Sequence, residues 1–152
     1  MTRTKLIGAV ILILGLGGIC LYVNRDSFAR APIQITHRAS PWLEGRRPKR
    51  LAELGTPVVF SFNNFYEFTE IKVVRAAEAE TNKFAPALWN LISESNSIPL
   101  TSFTYGQGVR GMRPATKGDR PDPLESGVNY RLIVKTTKGN AHHDFSADLP
   151  QR

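Results

Sequence analysis

Cysteine and histidine are scarce in this chain, which has one Cys and three His among 152 residues. The one cysteine, Cys20, lies inside an apolar run. The rest of the chain therefore contains no disulfide. The same scarcity excludes a thiol nucleophile from any folded domain that follows the run. No G-x-S-x-G string occurs either, so the sequence offers no nucleophile elbow of the α/β-hydrolase type.

No charged residue occurs from Leu6 to Val23. Roughly 17–25 apolar residues cross the hydrocarbon of a bilayer as a helix, and this run falls in that range. A spanning segment must satisfy its own backbone hydrogen bonds, which a helix does. We therefore predict a short basic tail at residues 1–5 and one transmembrane helix at residues 6–23.

A cleaved signal peptide is the alternative interpretation of the same segment. Arg3 and Lys5 would supply its positive end, but the apolar core of a signal peptide usually has about 7–15 residues, fewer than here. The best small-x-small cleavage sequence is residues 29–31, and Pro32 directly after it restrains the backbone that a signal peptidase needs extended. We therefore expect an uncleaved anchor.

The direction in which the segment 6–23 crosses the membrane is only weakly encoded. Arg3 and Lys5 precede it, and Arg25 and Arg30 follow it, so the positive-inside count is nearly balanced and leans toward a cytoplasmic C-terminus. A short tail that carries two positive charges is, however, hard to translocate. We expect a single-pass membrane protein whose C-terminal domain is extracytoplasmic.

Acidic residues are scarce only near the N-terminus. Residues 1–50 contain nine basic and two acidic residues, whereas residues 51–152 contain eleven of each, so the first fifty residues account for the net charge of +7. The rest of the chain has no basic surplus from which to build a nucleic-acid surface, and nucleic acid is not an expected partner.

The basic charge is densest within residues 24–52, which we interpret as a partly ordered juxtamembrane linker with one possible strand. Like charges keep such a linker solvated. They also suit contact with anionic lipid head groups, to which each basic residue contributes about 1 kcal/mol. The candidate lipid contacts are Arg46, Arg47, Lys49 and Arg50.

Beyond the linker the sequence shows the two-residue periodicity of half-buried strands and no long amphipathic helix. In the clearest case Tyr130, Leu132 and Val134 alternate with Arg131 and Ile133. The predicted strands occupy residues 32–37, 56–62, 66–74, 88–93, 99–105, 128–137 and 141–145, with a turn of helix within 75–87, a hairpin turn at Asn63-Asn64 and a long irregular loop at 106–123. About seven short strands favour an all-β sandwich over residues 53–149.

The spacing of a few residues in this domain is informative. Leu124 stands six residues before Tyr130, and Trp89 lies on a predicted middle strand. This pattern resembles fibronectin type III and related immunoglobulin-like domains, in which the tyrosine of that spacing bonds back to the chain and a tryptophan fills the core. Ser126 and Val128 stand where the family usually has Pro and Thr. The resemblance implies a fold and structural roles for Leu124, Tyr130 and Trp89, and it implies no activity.

Aromatic side chains are concentrated between residues 60 and 68. Because each ring buries a large area, we expect Phe60, Phe62 and Phe68 in the core. Phe65 and Tyr66, at the predicted turn, have the wrong parity for the core. We interpret them as candidate contacts for a protein partner.

Two strings suggest a cofactor or metal site at first sight. Residues 106–111 match G-x-G-x-x-G, which binds dinucleotides where it opens a helix, but Pro114 and the glycines and prolines after it exclude a helix here. His142 and Asp144 share one strand face and His143 the other. Since a zinc site needs three or four ligands and His37 is the remaining histidine, we expect neither a metal nor a cofactor.

These observations favour a non-catalytic interaction module, a β-sandwich held at a lipid bilayer by an uncleaved helix and contacting a protein partner. Two alternatives stay open. One is a secreted β-sandwich that binds a ligand after signal-peptide cleavage. The other is an enzyme of unrecognised type with its site in the 106–123 loop, for which a pocket with strongly perturbed titratable groups would argue.

Overall fold

The computed structural model describes residues 13, 15–16, 32–39, 53–82, 84–95 and 97–148. The chain divides into two units, Met1–Pro32 and Ile33–Arg152. In the first unit the described residues are 13, 15 and 16, which are helical, and Pro32, which belongs to no helix or strand. Within the described parts of the chain, no helix combines the length and the apolar character needed to cross a membrane.

Two predictions fall largely or wholly on residues outside this description. Apart from the three helical positions, the predicted transmembrane helix at residues 6–23 lies outside the described residues. The candidate lipid contacts Arg46, Arg47, Lys49 and Arg50 also lie outside them. Both stay predictions.

The second unit is built from short strands and a six-residue helix, as its described residues show. The elements are β1 (Ile35–Ala39), β2 (Val58–Tyr66), β3 (Phe68–Arg75), α1 (Ala76–Thr81), β4 (Ala87–Ile92), β5 (Leu100–Thr104), β6 (Arg113–Pro114), β7 (Asn129–Thr136) and β8 (Gly139–Ser146). Each predicted strand is present, displaced by at most a few residues. The short strand β6, inside the predicted loop, was not expected.

The strands form two antiparallel sheets. In the described part of the chain one sheet has the order β1-β2-β5 and the other the order β6-β4-β3-β7-β8. Inward side chains of both sheets meet in an apolar core. In β7 the alternating residues Tyr130, Leu132 and Val134 are fully buried, as the two-residue period predicts. The prediction of an all-β sandwich is therefore confirmed at this level.

The predicted hairpin at Asn63-Asn64 is wrong. Both asparagines lie inside β2, where the pairing with β5 shifts register between Ser61 and Tyr66. β2 pairs with β1 and β5, whereas β3 pairs with β4 and β7, so the chain crosses from one sheet to the other at Glu67. Between Ser61 and Tyr66, β2 has extra residues that lack a partner in β5, so a turn signal falls on an irregular part of a continuous strand.

Aromatic rings dominate the contact between the sheets. Phe62 of β2 lies 5.0 Å from Phe68 of β3, and Phe103 of β5 lies 6.0 Å from Trp89 of β4, measured between ring centroids. Offset and edge-to-face pairs at such distances contribute beyond their buried area. Trp89 is 5% exposed, in keeping with the core role that the sequence predicted for it.

The prediction that Tyr66 is an exposed contact for a protein partner is wrong. Tyr66 is 4% exposed, and its ring lies 6.1 Å from that of Phe62, so it packs in the core and offers no contact surface. Its hydroxyl donates to Asn63 Oδ1 over 3.0 Å, and Lys138 Nζ lies 5.4 Å from its ring centroid. Tyr66 lies four residues after Phe62, so in a continuous β2 the two share the inward face, whereas the prediction placed Tyr66 at a turn. Phe65, its neighbour, is 62% exposed.

The corner before β7 has the hydrogen bond that its spacing predicts. Tyr130 is fully buried, and its hydroxyl accepts a hydrogen bond from the backbone N–H of Glu125 over 2.7 Å. Leu124, beside it, is buried with 8% of its surface exposed. The tyrosine thus fixes the segment that leads from the 106–123 loop into β7.

Candidate functional site

The 106–123 loop runs along the side of β4 that faces away from β3. Its strand β6 pairs Pro114 with Leu91 and Arg113 with Ile92. Ala115 N–H donates to the carbonyl of Asn90, and Asp122 N–H donates to the carbonyl of Leu88. The loop thereby occupies backbone groups of β4 that would otherwise form an open sheet edge.

Tyr105 fixes both ends of this loop. It is 1% exposed, and its hydroxyl donates to the carbonyl of Asp122 over 2.7 Å. Burial, and to a smaller extent the nearby carboxyl of Asp122, raise the pKa of Tyr105 well above its usual value. The hydroxyl therefore keeps its proton and remains a donor throughout the physiological pH range.

Gly106 shapes the point where the loop leaves β5. Its φ is +74°, in the left-handed region that favours glycine, and a Cβ at this position would lie 2.3 Å from Leu54 Cδ1. Any larger residue would push the Leu54 side chain out of its position. The glycine therefore allows the segment before β2 and the 106–123 loop to approach each other closely.

Between this loop and the segment before β2 lies an open groove of about 550 Å³, which we call the loop groove. Its lining residues are Glu53, Leu54, Gly106, Pro114, Gly118, Asp119, Arg120, Pro121 and Pro123. A smaller cavity of about 130 Å³ shares five of these residues and extends to Trp89, Asn90, Leu91, Gly108 and Met112. The combined surface is mostly apolar and carries a few polar groups, as ligand sites do.

Asn90 contributes to this surface a buried polar atom that has no hydrogen-bond partner among the described residues. The atom is Oδ1, which accepts no hydrogen bond from any described residue. Leaving a buried acceptor unsatisfied costs about 1–3 kcal/mol. Because Asn90 lines the smaller cavity, a donor on a bound molecule would remove this cost.

The chemistry available in the loop groove is limited. The described residues that line it and the smaller cavity include no Ser, Thr, Cys, His, Lys or Tyr. Its charged side chains are Glu53, Asp119 and Arg120. Of these side chains, the carboxylates of Glu53 and Asp119 are the groups able to act as a nucleophile or a base.

The remaining predicted residues lie elsewhere. Phe65 is exposed at the end of β2 opposite to Leu54, so it is not part of the loop groove. The Gly106–Gly111 segment is irregular and opens no helix, as Pro114 after it predicts. Asn90 was missed by the sequence analysis, because one polar residue in a strand gives no signal of an unpaired acceptor.

The histidines form a different arrangement from the one considered from the sequence. Asp144 accepts two hydrogen bonds from Arg131, of 2.6 and 2.8 Å, which lower the pKa of this carboxyl. His143, not His142, lies beside His37. Among the described residues no group of three or more His, Cys, Asp or Glu side chains is placed to hold a metal ion.

Compared with models of protein families, with curated proteins and with solved structures, the chain matches none of them.

Proposed function

We propose that this chain is a non-catalytic recognition module that binds an extended segment of a partner protein in the loop groove. The observation that carries the proposal is Asn90 Oδ1, a buried acceptor without a partner among the described residues, on the wall of a cavity that joins the groove. Backbone N–H groups of an extended peptide are the commonest donors that such an acceptor meets in a protein partner. Trp89, Leu91 and Met112 supply apolar contact area beside it.

The shape of the groove also supports this proposal. A volume of about 550 Å³ is within the usual range of ligand sites, about 300–1,000 Å³. Asp119 and Arg120 place one charge of each sign along the same wall. Paired charges of opposite sign orient a peptide without favouring a strongly acidic or strongly basic one. For the enzyme alternative, the described lining offers only the carboxylates of Glu53 and Asp119 as a nucleophile or a base.

For the fold we propose the fibronectin type III or immunoglobulin-like type. Strands β1, β2 and β5 correspond to A, B and E of that sandwich, and β3, β7 and β8 to C, F and G. The strand β4 pairs with β3 and so takes the place of C′ of the variable type. The hydrogen bond of Tyr130 supports the same assignment. Trp89 departs from it, because it lies on β4 and not on the strand equivalent to C.

Replacing Asn90 with leucine is expected to weaken ligand binding while leaving the fold intact. Removing an unsatisfied buried acceptor leaves the free energy of unfolding unchanged or raises it by up to about 1 kcal/mol. Loss of its hydrogen bond to the ligand weakens binding at least about tenfold. The measurement is selection of displayed random peptides of about twelve residues on the full chain in detergent, followed by titration of the selected peptides.

Phe65→Ala is the matched control, because Phe65 is exposed at the opposite end of β2. Peptides that lose affinity for Asn90→Leu but not for Phe65→Ala support the proposal. Peptides that respond to Phe65→Ala alone assign recognition to the β2 end and contradict the groove. A fall in the unfolding free energy of Asn90→Leu by more than about 1 kcal/mol would show that Asn90 is a structural residue.

We also propose that residues 6–23 anchor this module in a membrane as an uncleaved helix, on the strength of the uncharged run in the sequence. Anchoring raises the local concentration of the module for partners in or near the same membrane. Arg46, Arg47, Lys49 and Arg50 contact anionic lipid, and the module lies on the extracytoplasmic side. Phe65 is the alternative contact for a partner, which the Phe65→Ala variant tests.

The full-length chain is expected in the membrane fraction after cell lysis and is expected to resist alkaline extraction. In reconstituted vesicles that contain anionic lipid, tryptic cleavage within residues 46–50 should be about tenfold slower than in neutral vesicles, since each basic residue gains about 1 kcal/mol at an anionic surface. High salt should restore the neutral rate, because it screens exposed charges.

Three results would contradict this part of the proposal. Uncut chain in the soluble fraction excludes the anchor. A soluble chain that begins near residue 32 supports the secreted alternative. Equal cleavage rates in both kinds of vesicle exclude lipid contact by the basic run, although the anchor itself would stand.

A further inference from the structure

A histidine pair joins the two sheets at one side of the sandwich. Nδ1 of His37, on β1, lies 2.8 Å from Nε2 of His143, on β8. Within the described residues β1 ends one sheet and β8 ends the other. The pair therefore links two edge strands that share no ladder of backbone hydrogen bonds.

By strand parity both side chains belong to the inward-facing side of their strands, where His37 is exposed and His143 half-buried. Ile35 and Ala39, two residues to either side of His37, are buried, so His37 shares the inward face of β1. Its ring lies 5.9 Å from Phe145, which is buried two residues after His143. His37 nevertheless keeps an exposed surface, so protons from solvent reach the pair.

A contact of 2.8 Å between two imidazole nitrogens is a hydrogen bond, in which one ring donates and the other accepts. A pair with one added proton keeps such a bond, but a second proton places two N–H donors and two positive charges face to face. Burial lowers the pKa of both histidines below the usual 6.5, and the charge of His37 lowers that of His143 further.

The charged groups around the histidine pair do little to offset the two positive charges of the doubly protonated form. The carboxylate of Asp144 raises the pKa of His143. It lies, however, on the outer face of β8 and accepts a hydrogen bond from Arg131 of β7. Arg38 of β1 and His142 of β8 also belong to the outer faces, and neither supplies a negative charge. The residue of β2 opposite His37 is Phe60, which is apolar and fully buried.

We propose that His37 and His143 form a pH-sensitive latch, which holds β1 on the sandwich at neutral pH and releases it in mild acid. β1 has five residues and pairs with β2 alone among the described strands. Its release uncovers the backbone groups of β2 from Val58 to Phe62, an edge able to pair with another extended chain. Because β1 directly follows the N-terminal unit, the latch controls the first strand of the domain.

The direction of the effect follows from the two lowered pKa values. A histidine whose pKa is lower in the folded state contributes full stability above its unfolded value of about 6.5. That contribution is lost as the pH falls from there through the folded values. The pKa of Asp144 is lowered from the ordinary carboxyl value of 3.8, so the effect of this group on stability falls below that pH and not in mild acid.

The test is hydrogen–deuterium exchange of the full chain in detergent, with a metal chelator present, at about pH 7.5 and about pH 5. After correction for intrinsic exchange, protection of the β1 amides should fall about tenfold in acid, while protection of β3 and β7 stays constant. In His143→Gln, which keeps a polar group without titrating, the β1 protection should be the same at both pH values.

His142→Gln is the matched control, because His142 is the adjacent exposed histidine on the same strand. It should keep the full pH response. Unchanged β1 protection in the wild type, or a response that persists in His143→Gln, overturns the latch. If His143→Gln fails to fold, His37→Gln replaces it, and the same two outcomes decide.

Discussion

Replacing Phe103 with alanine is expected to lower the free energy of unfolding by about 3–5 kcal/mol, the usual cost of removing a buried ring and leaving a cavity. Phe103 is 8% exposed and lies on β5. Its ring centroid is 5.5 Å from that of Phe68 and 6.0 Å from that of Trp89, both of the opposite sheet. The substitution therefore removes contacts that hold the two sheets together, and urea unfolding of the full chain in detergent, followed by near-UV circular dichroism, measures the loss.

Phe65→Ala is the control for this substitution. It makes the same chemical change in the same sheet, but Phe65 is 62% exposed. We expect a change of at most about 0.5 kcal/mol, as for an ordinary surface position. Equal losses in the two variants would mean that Phe103 is not part of the inter-sheet core, and a loss below about 1 kcal/mol in Phe103→Ala would mean the same.

The second large effect is expected from Tyr105→Phe, which should lower the free energy of unfolding by about 1–3 kcal/mol. The variant removes only the hydroxyl that donates to the carbonyl of Asp122. Without this donor the 106–123 loop loses the bond between its two ends, so hydrogen exchange of the loop should increase as well. Urea unfolding and exchange of the full chain measure the two effects.

The raised pKa of Tyr105 also predicts that the stability of the fold decreases at alkaline pH. The folded-state pKa of Tyr105 is raised above its ordinary value of 10.0, so its contribution to stability is complete below that pH and is lost as the pH rises beyond it. Tyr105→Phe should remove this part of the alkaline destabilisation.

Tyr66→Phe is the matched control for Tyr105→Phe. The hydroxyl of Tyr66 bonds to the exposed side chain of Asn63, which water solvates when the bond is lost, so we expect a loss of at most about 0.5–1 kcal/mol. If Tyr105→Phe is no more destabilising than Tyr66→Phe, the hydroxyl of Tyr105 does not hold the loop.

Much of the fold could be predicted from local features of the sequence. The alternation of Tyr130, Leu132 and Val134 assigned the inward face of β7, since successive strand side chains point to opposite faces. The prolines and glycines of residues 106–123 predicted an irregular loop, because they disfavour both helix and central strand. The spacing of Leu124 and Tyr130 predicted a hydroxyl bonded back to the chain, which the structure shows as the bond from Glu125.

The candidate site was much less predictable. The sequence suggested the 106–123 loop as one alternative site, but it gave no reason to choose Asn90, whose importance lies in the lack of a partner. It also assigned Tyr66 to the surface, because the Asn-Asn pair was interpreted as a turn and not as part of a continuous strand. The continuation of β2 depends on pairing with β5, which lies far along the chain.

The sequence by itself therefore determined where the strands lie, which of their faces are apolar and where the chain is irregular, because these properties depend on neighbours a few residues apart. Only the tertiary structure decided that β2 and β3 belong to different sheets, that Asn90 has no partner among the described residues and that His37 meets His143. Each of these depends on contacts between segments distant in sequence, and a single sequence carries no local signal for such contacts.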